Sequence, residues 1–110
     1  MIGISLYHAT SPDAAESIRR AGFRGADVWD HRSVVFLADQ PLRGLGDAWV
    51  RVTVSAAWLS RADEYDETER ENDESIYHAR CYCVRARRLN RAIRRMEIVT
   101  VGDLIEEETR

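Results

Sequence analysis

The four consecutive apolar residues Val34-Val35-Phe36-Leu37 constrain the fold more than any other segment of the chain. A strand that alternates apolar and polar side chains can leave one face in water, but a run without alternation needs cover on both. Ser33 to Ala38 is therefore expected as a central or nearly central strand. Asp39-Gln40-Pro41 ends it, and the stretch through Gly44 and Gly46 reads as a loop.

Two further segments do alternate. Ile4-Ser5-Leu6-Tyr7-His8 places Ile4, Leu6 and His8 on one face, and Trp49 to Ser55 places Val50, Val52 and Val54 inward with Arg51 and Thr53 outward. Between the first two strands, Ser11-Pro12-Asp13 supplies an N-cap, a first-turn proline and an acid at the positive end of a helix. Ala14, Ile18 and Ala21 give that helix an apolar stripe, and Gly22 stops it. Ala56 to Leu59 suits a short helical turn. Ala79 to Val84 and Met96 to Val101 read as two more strands. Asp63 to Glu74 carries eight acids against Arg70 alone and is expected as an exposed loop, whereas Arg85 to Arg95 carries six arginines with Leu89 and Ile93 as its buried contacts. The acidic tail from about 103 to 110 is expected to fray. Short strands around one good helix, without regular βαβ alternation, indicate an α+β domain.

With 110 residues and 45% apolar content, one core and one domain over 1–110 are expected. The net charge of −3 disfavours coating of nucleic acid by bulk attraction. No apolar run approaches the roughly 20 residues that span a bilayer, and the start lacks a leader pattern, so a cytoplasmic protein without membrane contact is expected. All 16 basic residues are arginine. That excludes a Schiff-base lysine and a Walker-type phosphate loop, although GC-rich codon usage alone would produce the same bias.

The order of these pieces carries a resemblance. A strand ending Leu6-Tyr7-His8-Ala9-Thr10, a helix Ser11-Pro12-Asp13-Ala14-Ala15-Glu16-Ser17-Ile18, then Gly22-Phe23, and later Val35-Phe36-Leu37-Ala38-Asp39, resembles the N-terminal half of the small ADP-ribosyltransferases. That superfamily includes poly-ADP-ribose polymerases, DNA-modifying toxins and RNA 2′-phosphotransferases. The likeness covers about the first 60 residues. It implies split antiparallel sheets flanking a cleft, with one main N-terminal helix, and NAD as substrate. His8 would then hold a ribose hydroxyl, the Ala9 backbone the nicotinamide carboxamide, Thr10 the adjoining ribose, and Phe36 would stack on the nicotinamide ring. Ala9 stands where the family has glycine, and Phe36 where it has tyrosine. A glutamate that steadies the positive sugar in the transition state is also part of the family pattern. Its position in this chain is held by Cys81, so Glu97 or Glu74 would have to supply the charge.

The function implied is transfer of ADP-ribose to an unknown macromolecule, protein or nucleic acid, as in bacterial toxins and conflict effectors. The alternatives are a catalytically inactive binding or interaction module on the same scaffold, and a 2′-phosphotransferase-like activity drawing on the seven arginines from Arg80 to Arg95. Residue by residue, plainer readings stand alongside: His8 as a capped strand-end histidine, Phe36 as core, Cys81 and Cys83 as packed strand thiols. A thiolate nucleophile beside Arg80, Arg85 and His78 is a further option. His31, His78, Cys81 and Cys83 have poor zinc spacing, so no metal is expected. The arginine-rich segment could meet a phosphate backbone or an acidic partner, with the acidic loop as internal competitor.

Overall fold

The computed structural model describes residues 2–28, 31–60, 64–65 and 79–108. Among these, the strands are β1 (Gly3–Thr10), β2 (Ala26–Val28), β3 (His31–Ala38), β4 (Ala48–Ser55), β5 (Glu64–Tyr65), β6 (Cys81–Arg85) and β7 (Arg95–Thr100). The helices are α1 (Pro12–Ala21), α2 (Ala56–Leu59), α3 (Ala86–Ala92) and α4 (Val101–Glu108). The strands pair antiparallel in the order β5-β6-β3-β1-β4-β7, with β2 also on β3. The architecture is α+β, as the patterning indicates, and β3 is interior to the sheet as its unbroken apolar run requires. None of the helices among the described residues is long and apolar enough to cross a membrane.

Strand alternation sorts the core into two layers. Leu6, Val35, Leu37, Val50, Val52, Val54, Tyr82 and Val84 share one face with Ala15 of α1, Phe23, and Ala86 and Leu89 of α3. Burying these side chains, at roughly 1.5–3 kcal/mol for each large one, is the main force holding α1 and α3 on that face. The second face carries Trp49 and Val99 packed against Leu104 of α4, and separately Ala38 and Cys81 with Ala79 and Leu42. Trp49 is fully enclosed there, its Nε1–H donating to the Leu42 carbonyl at 3.1 Å.

Helix α1 begins and ends as its sequence dictates: Ser11 Oγ accepts from the Ala14 amide at 3.2 Å, and Gly22, at φ +85°, closes the last turn onto the Ile18 carbonyl at 2.7 Å. The tail corrects an expectation. Instead of fraying, 101–108 forms α4, because Leu104 reaches the Trp49–Val99 cluster while the acids point outward. Asp103 and Thr100 cap its start reciprocally, amide to side chain in both directions, at 2.9 and 3.2 Å. The acidic segment 63–74 lies outside the described residues except for Glu64 and Tyr65, which pair with β6.

Candidate functional site

Strand β3 offers one edge to β6 and shares the other between two partners. Its start pairs with β2 and its end with β1, the latter through the single register pair Tyr7↔Ala38. The described strands thus form one sheet, not two, whose halves meet at one narrow point. Beyond that point β1 stays fully paired to β4, from Gly3↔Ser55 to Thr10↔Ala48, and the Phe36 carbonyl on β3 takes a side-chain donor in place of a strand.

That donor is His8. Its Nδ1 lies 2.9 Å from the Phe36 carbonyl oxygen. A carbonyl only accepts, so Nδ1 carries the proton and Nε2 remains as the ring's other hydrogen-bonding atom. The Phe23 ring meets the imidazole edge to face, centroids 5.4 Å apart and planes at 86°. Burial holds the His8 pKa below its ordinary 6.5, the Phe36 hydrogen bond opposing this only in part. The folded protein therefore favours the neutral ring, whereas the unfolded chain protonates near 6.5. Stability from this group is complete above that value and declines as pH falls beneath it. We expect the denaturation midpoint to drop between about pH 7 and pH 5, and the drop to shrink in His8→Asn. An identical slope in that variant would show that other groups govern the acid response.

Phe36 is the exception in its strand. Val34, Val35, Leu37 and Ala38 are nearly inaccessible, while Phe36 is 37% exposed. Both faces of β3 are covered elsewhere, as expected from the apolar run, and Phe36 is the large apolar side chain of this strand that reaches the surface. Alternation sets it on the second face, whereas His8 follows Leu6 on the first and touches Phe23. The two rings thus lie on opposite faces of the sheet and do not line one hollow; they are linked only through the hydrogen bond from His8 to the β3 backbone. The Ala9 backbone, the nominated carboxamide partner, pairs with Trp49, so it is already engaged on its β4 side. Thr10 ends the strand, its carbonyl accepting from the Asp47 amide at 3.1 Å. Gly46 is packed so tightly on the Thr10 backbone that a Cβ would lie 2.4 Å from that carbonyl oxygen.

Cys83 pairs with Phe36 and Cys81 with Ala38, so the sequence position compared with the family glutamate does fall beside the strand that carries Phe36. Both cysteines are buried and outside any disulfide, Cys81 contacting the Ala79 carbonyl at 4.0 Å. Neither supplies the carboxylate that the family pattern places there. His78 and Glu74 lie outside the described residues. No cluster of three or more metal-ligating side chains occurs among the described residues.

Glu97 sits elsewhere. It is on β7, the far edge, separated from β1 by β4 and so about 10 Å away across two strand spacings. There it forms a forked pair with Arg51, at 3.2 and 3.3 Å, in a cavity of about 300 Å³ shared with Asp103, Glu106 and Glu107. Arg51 also contacts the Tyr7 hydroxyl at 3.5 Å and Glu107 at 3.2 Å, and lies 5.9 Å from the Tyr7 ring centroid. Tyr7 and Glu97 together hold this guanidinium protonated more firmly than usual, and Arg51 in turn lowers the Glu97 pKa. Register explains the meeting: Tyr7↔Arg51↔Glu97 is one cross-strand row. Sequence reasoning placed Arg51 outward but missed this network, because it depends on pairing strands 46 residues apart. No known protein family, curated protein or solved structure matches the chain.

Proposed function

We propose that this protein is a binding module of ADP-ribosyltransferase type that holds NAD at the junction of β1 and β3. The observation carrying this reading is His8 fixed by its Nδ1–H bond to the Phe36 carbonyl, on the strand whose Phe36 side chain reaches the surface. The nicotinamide would stack on Phe36 from the second face, and the adjoining ribose would have to pass the end of the β1–β3 pairing to reach His8 on the first. Binding is favoured over transfer by a specific arrangement. Glu97, one of the two carboxylates nominated for the chemistry, is two strands from β1 and already engaged by Arg51, while the other, Glu74, lies outside the described residues. Cys81, at the family's glutamate position, is a buried thiol.

Thermal denaturation with added NAD tests the reading. A ligand at a hundredfold excess over its dissociation constant stabilises the fold by about 2.7 kcal/mol, so the midpoint should rise and saturate. Phe36→Tyr should keep that rise and Phe36→Ala should reduce it at least tenfold in apparent affinity, with little loss of stability in the absence of NAD. Equal shifts in both variants would remove Phe36 from the site. Reproducible release of nicotinamide from NAD would replace the binding module with an active transferase.

A further inference from the structure

Charge that nearly cancels in the sequence is segregated by the fold. The second face carries Glu97, Asp103, Glu106, Glu107 and Glu108 around Arg43 and Arg51. The first face is covered by α1 and α3, and there the balance reverses. Helix α3 and the turn after it carry Arg87, Arg88, Arg91 and Arg94 with no acid, whereas Arg85 and Arg95 fall on the second face, Arg95 beside Glu97 at 3.6 Å.

The two helices are locked together where α1 ends. Asn90 of α3 accepts from the Phe23 amide at 2.9 Å and donates to the Phe23 carbonyl at 2.8 Å, and Gly22 lies against the same side chain. At 3.6 residues per turn, Arg87 and Arg91 lie within about 100° of Asn90 around the α3 axis, on its outward side. Arg20 and Arg24 flank the Phe23 end of the contact. All four are exposed. Arg19 is paired with Glu16 at 2.6 Å, and Asp13 stands at the opposite end of α1. The lock at Asn90 therefore gathers arginines from both helices onto one rigid surface.

We propose that this surface, centred on Arg20, Arg24, Arg87 and Arg91, binds the phosphate backbone of a nucleic acid duplex. Guanidinium forks match phosphate oxygens in pairs, and backbone contacts of this kind need charge and position but no base reading. A protein partner is disfavoured by the make-up of the surface. Among the described residues, the exposed large apolar ones, Ile2, Phe36, Leu45, Val101 and Ile105, all lie off α1 and α3 and so supply this patch with no apolar anchor of the kind that centres protein interfaces. The Phe23 ring at the contact is buried, and no exposed aromatic ring among the described residues lies on α1 or α3; this likewise favours a duplex over unpaired bases, which bind by stacking. The net charge of −3, which argues against bulk attraction, does not describe this face. The surface is separate from the β1–β3 junction, and the proposal does not rest on NAD binding.

Fluorescence anisotropy with a labelled RNA or DNA duplex of about 20 base pairs, titrated at rising salt, tests it. Four phosphate contacts predict a slope of about −3.6 in log affinity against log salt. The paired variants Arg20→Gln with Arg24→Gln, and Arg87→Gln with Arg91→Gln, should each weaken binding at least tenfold and flatten the slope by about 1.8. Arg43→Gln, on the other face, should change neither. Absence of duplex binding at about 50 mM salt would overturn the proposal, as would a salt-independent affinity or unchanged binding in both paired variants. Equal or tighter binding of polyglutamate would overturn it in favour of an acidic protein partner.

Discussion

Trp49→Ala should destabilise the fold by about 3–5 kcal/mol and lower the thermal midpoint by roughly 12–20 °C. The indole is the largest fully enclosed side chain among the described residues, and it belongs to the layer that attaches α4 to the sheet. Its removal opens a cavity against Val99 and Leu104 and strips the Leu42 carbonyl of its donor. Trp49→Phe keeps most of the apolar contact and loses mainly that hydrogen bond, so it should cost about 1–2 kcal/mol. Chemical denaturation of the two variants side by side checks the account. A loss below about 1 kcal/mol for the alanine variant would show that the second layer contributes little and that α4 is dispensable.

His8→Ala should act on two quantities at once. The hydrogen bond from His8 Nδ1 to the Phe36 carbonyl is lost, which should cost about 1–3 kcal/mol. NAD affinity should fall at least tenfold, because the ribose contact and the fixed β3 edge are lost together. His8→Gln separates the two effects: its amide can donate to the same carbonyl and recover stability, but it lacks the imidazole Nε2. Stability measured without ligand, and binding measured by equilibrium dialysis with labelled NAD, distinguish them. Full affinity in His8→Ala would place any NAD site elsewhere on the molecule.

The elements with strong periodicity were legible before the fold was known. Alternation in β1 and β4 assigns Leu6, Val50, Val52 and Val54 to the core, and all four are fully buried. Ser11, Pro12 and Gly22 mark the ends of α1 by capping chemistry that acts within a few residues. Helix α4 was obscured because Glu and Asp dominate its composition, although Val101, Leu104 and Ile105 already have helical spacing; only the Trp49–Val99 surface makes Leu104 worth burying. Strand β2 is three residues long and too short for periodicity to register. At the candidate site, His8 is readable as a strand-end residue, but its bond to the Phe36 carbonyl depends on where β1 and β3 part company. That is a property of the pairing register, as is the capture of Glu97 by Arg51. Charge segregation is hidden for the same reason, since a sum over the chain carries no information about faces.

The most direct measurement of the central claim is the nitrogen-resolved NMR signal of the His8 imidazole during a titration with NAD. The account predicts a neutral ring protonated at Nδ1 at pH 7.5 or thereabouts, and a saturable shift of its Nε2 resonance as NAD is added. A proton on Nε2 in the free protein would contradict the arrangement at the β1–β3 junction. An Nε2 signal unmoved by millimolar NAD would contradict the function assigned to it.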